Sequence, residues 1–113
     1  MIIRWTFARR AVALACMLAW FAPPALAQMA PEVQRGLAYV RTNCARCHSV
    51  DKISDSPLRI APPFRDLHKR YPVEDLARPL AEGIRTGHPT MPEFKLDPGQ
   101  VADVIAYLKT LER

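Results

Sequence analysis

Cys44-Ala45-Arg46-Cys47-His48 is the stretch from which the rest of the chain is read. Two thiols separated by two residues and followed at once by an imidazole form the C-x-x-C-H signature for covalent attachment of a c-type haem. The spacing suits thioether bonds from Cys44 and Cys47 to the two vinyl groups, and His48 is placed to reach the iron from one face. Two other chemistries use paired cysteines. A structural zinc site needs four ligands in a tetrahedron; past residue 27 the chain holds only these two cysteines and three histidines, and the side chains of neighbours Cys47 and His48 diverge. A thioredoxin-like dithiol belongs beside a βαβ pattern, yet no strand-like alternation of Val, Ile or Thr flanks the motif. Covalent haem c, one per chain, is therefore the expected cofactor.

Upstream of the motif the chain begins like an export signal. Arg4, Arg9 and Arg10 give a positive start, Ala11 to Phe21 form an apolar run, and Ala25-Leu26-Ala27 supplies a small-x-small cleavage site. Residues 1–27 are expected to be a secretory signal peptide cut after Ala27, and residues 28–113 the functional domain. Eleven apolar residues are too few for a spanning helix, which needs about 20, so no stable membrane anchor is expected. Arg9-Arg10 lacks the surrounding residues of twin-arginine export, and Cys16 reads as a small hydrophobe within the removed segment. Export agrees with the haem motif, because thioether cysteines are handled in the same oxidising compartments that permit disulfides. The expected location is the periplasm.

Removing 27 of 113 residues leaves 86, enough for one domain. A chain of that size buries a little over ~60% of its unfolded surface and is marginal alone; a large apolar macrocycle would supply much of the missing core. The whole chain carries a formal +5, but three arginines leave with the signal, so 13 basic against 11 acidic side chains give +2. Two haem propionates bring this close to zero. Attraction to partners then rests on local asymmetry, with Arg65, His68, Lys69 and Arg70 as the densest basic cluster. Without a basic stripe interleaved with aromatics, and without a finger or RNA-binding signature, nucleic acid is excluded as a partner.

Four segments follow. Pro31 to Asn43 reads as a helix, with proline in its first turn and Val33, Leu37, Val40 and Cys44 at helical spacing. Ser49 to Arg70 is rich in turn formers and predicts a loop wrapped on the haem edge. Pro72 to Glu82 has Val73, Leu76, Ala77 and Leu80 on one face, with Pro79 expected to leave the helix short or bent and Gly83 to end it. The last helix has Asp97 as N-cap, Pro98 at its first position, Gln100 completing a capping box, and an apolar stripe through Val101, Val104, Ile105, Leu108 and Leu111. Gly36 and Tyr107 suggest where the first and last helices touch.

The iron face opposite His48 has several candidates: Met29, Met91, His68 and His88. Met29 lies at the start of the domain. Met91 sits between the middle and last helices in Gly87-His88-Pro89-Thr90-Met91-Pro92, where Pro92 pushes it toward extended angles and Pro89 stiffens the approach. Met91 is the favoured ligand, with His88 and His68 as alternatives that would give a lower potential. A ligating histidine donates its other ring N–H to an acceptor that fixes its orientation, and the Pro62 carbonyl in Ala61-Pro62-Pro63 is the proposed acceptor for His48.

Taken in order, Gly36, Cys44-x-x-Cys47-His48, Ala61-Pro62, Met91-Pro92 and Tyr107 resemble the class I cytochromes c over nearly all of residues 28–113. The resemblance implies an all-α fold of a few helices and long loops around one covalent haem, with the terminal helices packed together. It implies thioethers at Cys44 and Cys47, axial ligation by His48 and Met91, support of His48 by Pro62, and a haem propionate held by Arg70. Two departures stand out: Ala61 where glycine is common, and Val40 where an aromatic usually stands, with Tyr39 beside it.

With both axial positions filled by protein there is no open site for a substrate, which leaves one-electron transfer without catalytic residues. The expectation is a periplasmic electron carrier between redox proteins, periplasmic or membrane-bound, or the haem subunit of a dehydrogenase or oxidase complex. The alternative is a haem sensor or peroxidase-like protein with a labile sixth ligand. A four-helix gas-binding cytochrome would carry its C-x-x-C-H near the C-terminus.

Overall fold

A computed structural model describes residues 28–84 and 90–112. The signal-peptide reading of residues 1–27 therefore lies outside the described residues, as does His88. Every regular element among the described residues is helical: α1 (Pro31–Asn43), a 3-10 helix (Phe64–Lys69), a second 3-10 turn (Val73–Leu76) running into α2 (Ala77–Glu82), and α3 (Pro98–Lys109). This is the expected all-α architecture.

Both long helices start where their sequences say they should. Pro31 opens α1, where its missing N–H belongs to a group without an intrahelical partner, and Glu32 and Arg41 lie at the ends that suit the helix dipole. At α3 the Asp97 carboxylate accepts from the Gln100 N–H at 2.8 Å, while the Gln100 side chain accepts from the Asp97 N–H at 3.1 Å. These reciprocal bonds satisfy two donors that the first turn leaves orphaned.

α1 and α3 cross at Gly36. A Cβ there would lie 2.0 Å from the Asp103 carbonyl oxygen and 2.8 Å from the Tyr107 Cβ, so backbone rests on backbone and no side chain can intervene. Arg35 closes the edge of the crossing with two 2.7 Å hydrogen bonds to the Asp103 carboxylate. Val40, one turn beyond Gly36, is fully buried and joins Val101, Val104, Tyr107, Leu108 and Leu111 in the core. The buried Tyr107 hydroxyl donates to the Val50 carbonyl and so ties α3 to the segment after the haem motif.

The structure corrects one detail. Residues 49–70 are not irregular throughout, because Pro63 holds φ at −59° and starts the Phe64–Lys69 helix, which buries Leu67. The middle helix is short, as expected, because α geometry begins only after Leu76 and lasts six residues. Pro79 is the third residue of α2, a position whose N–H has no intrahelical acceptor to lose. Gly83 ends the helix with φ of 108°, a conformation L side chains avoid.

Candidate functional site

The haem motif grows directly out of α1. The Cys44 N–H donates to the Val40 carbonyl at 2.8 Å, and the Cys47 and His48 N–H groups both donate to the Cys44 carbonyl at 3.1 and 3.0 Å. This tight turn gathers Cys44, Cys47 and His48 on the wall of an apolar cleft. Cys44 and Cys47 are free thiols. Burial pushes the Cys44 thiol up to about 11, and the nearby Cys47 adds to the shift.

The cleft has two lobes that share Cys44, His48, Phe64, Met91 and Phe94. Its larger lobe holds about 720 Å³ of space free of protein atoms, open mouth included, and its smaller lobe about 520 Å³. Val40 and Leu67 come from the first half of the fold, Leu76 and Leu80 from the α2 region, and Val104 and Leu108 from α3. Protein interiors are normally filled to crystal-like density. An apolar hollow walled by Leu, Val and aromatic side chains in so small a domain therefore suits an apolar guest.

His48 is held for a purpose on the cleft side. The ring is buried, its Nδ1 lies 2.8 Å from the Pro62 carbonyl, and its face meets Phe64 with ring centroids 4.9 Å apart. With Nδ1 protonated toward that carbonyl, Nε2 keeps its lone pair. Met91, far away in sequence, lines both lobes with His48. The segment after it is tied to the end of α2: the Leu96 N–H donates to the Leu80 carbonyl at 2.9 Å and the Ile84 N–H to the Phe94 carbonyl at 3.2 Å. A nitrogen lone pair, a thioether, two thiols and apolar walls form a donor set that fits haem c.

The other sequence candidates lie elsewhere. Arg70 is exposed and lines neither lobe, whereas its neighbour Tyr71 lines the larger one. His68 lines neither lobe either, although its Nδ1 is buried without a hydrogen-bond partner. Met29 is exposed ahead of α1. Val40 and Tyr39 both line the larger lobe, so the aromatic surface missing at residue 40 is offered from the adjacent position. Sequence reasoning overlooked Phe64, Tyr71 and Phe94 as cleft walls. Their signal was available: large aromatics in segments without a helical stripe have little else to pack against.

Among the described residues no three His, Cys, Asp or Glu side chains converge as a metal site, and no strand is present to support a thioredoxin-like dithiol. What remains is a small helical domain built to enclose a covalent haem and exchange electrons through it. The chain belongs to the cytochrome c family, whose model matches residues 33–112. It is similar to a cytochrome c-553-like protein of Synechocystis sp. (strain ATCC 27184 / PCC 6803 / Kazusa), 31% identical over 80 residues that cover 71% of this chain and 70% of that one. No solved structure matches it. Membership makes this a small haem electron-transfer protein, with haem c as its covalent cofactor. No helix among the described residues is long and apolar enough to cross a membrane.

Proposed function

We propose that the protein is a periplasmic electron carrier holding one haem, with Cys44 and Cys47 as thioether anchors and His48 and Met91 as axial ligands. The observation that carries this reading is the convergence of His48 and Met91 on one apolar cleft whose wall holds both thiols. Haem iron, when bound, supplies a one-electron couple. The Pro62 carbonyl fixes the His48 tautomer and ring orientation, leaving Nε2 to ligate. Met91 offers a neutral sulfur that favours the reduced state, and the surrounding Leu and Val side chains do the same by excluding water. Arg70 lines neither lobe but is exposed beside the cleft-lining Tyr71, from where its guanidinium would reach outward to a haem propionate. Export by the segment ending at Ala27 delivers the chain to the compartment where its thiols are used, and its partners are other redox proteins.

Absorption spectroscopy of the purified holoprotein and of Met91→Ala tests the ligand assignment. Loss of the near-infrared sulfur-to-iron band in the variant is expected. An unchanged spectrum removes Met91 from the iron, and rapid carbon monoxide binding by the reduced parent protein would replace the carrier with a sensor or peroxidase-like role. Mass spectrometry of the exported chain should show a new N-terminus at Gln28 and the added mass of one haem.

A further inference from the structure

The two buried polar residues among those described are neighbours, His48 and Ser49. The Pro62 carbonyl accounts for the ring of His48. Ser49 lines neither lobe of the cleft, yet each of its polar groups is engaged. Its N–H donates to the Ser56 hydroxyl at 3.0 Å, its carbonyl accepts from the Phe64 N–H at 2.9 Å, and its hydroxyl accepts from the Arg65 guanidinium at 3.3 Å. On the other side of His48, the Cys47 carbonyl accepts from the Leu58 N–H at 3.1 Å. Both chain neighbours of His48 are thus tied to the same segment, residues 56–65, that supplies the acceptor for its ring.

These ties decide where the Pro62 carbonyl stands. Pro62 and Pro63 have no N–H, so this stretch has no donors of its own and takes its place from Ser56 and Leu58 before it and from Phe64 and Arg65 after it. The ties through Leu58 and Phe64 are backbone to backbone, whereas Ser56 contributes a hydroxyl. Without that hydroxyl the N–H of a buried residue loses its acceptor, and the segment must give way to rehydrate it. We propose that Ser56 is a positioning residue for the axial ligand: acting through Ser49, it holds the Pro62 carbonyl at hydrogen-bond distance from His48 Nδ1 and so sets how strongly Nε2 donates to iron. An outer hydrogen bond fixes a ligating imidazole and raises its basicity, and such bonding is one of the levers on a haem potential. A more basic ligand favours oxidised iron, so loosening the bond raises the potential. The proposal rests on the reading of His48 as an axial ligand.

Two measurements on the holoprotein test it: the reduction potential by spectroelectrochemical titration, and NMR of the His48 ring in the reduced state. Ser56→Ala should raise the ratio of reduced to oxidised protein at a fixed electrode potential about threefold, which at 59 mV per tenfold for one electron is about 28 mV. Ser56→Thr, which restores a hydroxyl, should return the ratio to that of the parent. The His48 Nδ1 proton should exchange with solvent faster in Ser56→Ala and at the parent rate in Ser56→Thr. Ser54→Ala is the control, because its hydroxyl donates to Asp51 within the same loop. It should lower the melting temperature without moving the potential.

A Ser56→Ala protein that melts lower but keeps the parent potential would make Ser56 a fastening of the loop alone and overturn the proposal. An equal shift of potential in Ser54→Ala would overturn it by making the effect one of general loosening. A lowered potential in Ser56→Ala would overturn it as well, since water entering near the iron favours the oxidised state. Failure of the ligand reading leaves a different mark: the His48 ring protons of the reduced parent would then lack the upfield displacement of an imidazole held over the haem plane, before any variant is made.

Discussion

Two stretches of α1 face opposite problems. At Gly36 the helix lies so close to α3 that a single methyl group has no room, and protein atoms alone complete the contact. One turn and more beyond, at Val40 and Cys44, the same helix borders a hollow that no side chain of the described residues fills. The crossing can be assembled by the chain itself. The cleft holds its walls apart around something the chain does not encode, and a domain of this size has little other core to spare.

If that contrast is right, the largest effect comes from denying the cleft its covalent guest. Cys44→Ala combined with Cys47→Ala should abolish covalent haem and with it the cooperative thermal transition followed by circular dichroism. A melt as sharp as that of the parent protein, from a sample shown by mass spectrometry to be free of haem, would mean that the walls close on one another and that both stretches of α1 are self-sufficient.

The crossing comes next. Gly36→Val places a branched side chain where even Cβ would sit 2.0 Å from a carbonyl oxygen. Separating the two backbones should cost about 3 kcal/mol or more, read as a lower denaturation midpoint of the holoprotein. A midpoint within experimental error of the parent would show that α1 and α3 slide past each other freely and would erase the difference between the two stretches.

Tyr107 joins the two regions, since its Cβ lies at the crossing while its hydroxyl donates to the Val50 carbonyl just past the haem motif. Tyr107→Phe keeps the ring and leaves that buried carbonyl short of a donor, which should cost about 1–3 kcal/mol. Amide hydrogen exchange then sharpens the comparison: faster exchange is expected in residues 49–56 than around Gly36.

How much of this was legible in the sequence follows from the range of the forces involved. Asp97, Pro98 and Gln100 announce α3 because capping is a local matter of three or four residues. Gly36 and Tyr107 could be paired because a glycine in mid-helix asks for a packing reason. C-x-x-C-H was readable because its chemistry is contained in five residues. The cleft walls were not: Phe64, Tyr71 and Phe94 lie in segments without periodicity, and only the folded path shows that they face one space. Pro79 announced a short helix, but where its α geometry begins was set by the 3-10 turn ending at Leu76, which no local signal marks. Arg70 and Tyr71 are neighbours of which only the tyrosine lines the cleft, a distinction made by the turn at the end of the 3-10 helix.

The smallest effect concerns the loop between the two regions. Asp51 accepts hydrogen bonds from the Ile53 N–H, the Ser54 N–H and the Ser54 hydroxyl at 2.8, 2.6 and 2.6 Å. These bonds, the Ser54 hydroxyl first among them, lower its carboxyl from an ordinary 3.8 to about 2. Arg65 fastens the same turn to the 3-10 helix by donating to the Ser54 carbonyl at 2.5 Å. A carboxyl whose acidity is strengthened on folding stabilises the folded chain above its unfolded value. That contribution fades as pH falls from about 4 toward 2, where the folded group takes up its proton. Asp51→Asn should therefore melt below the parent protein at pH 6, and the gap should narrow through this acid range. The side chain is solvent-exposed, so the shift in melting temperature will be small beside that of Gly36→Val. A gap that stays constant from pH 6 to 2 would show that the turn is held by Arg65 and the backbone, with the Asp51 charge contributing nothing to the loop that carries the chain from the haem motif to Pro62.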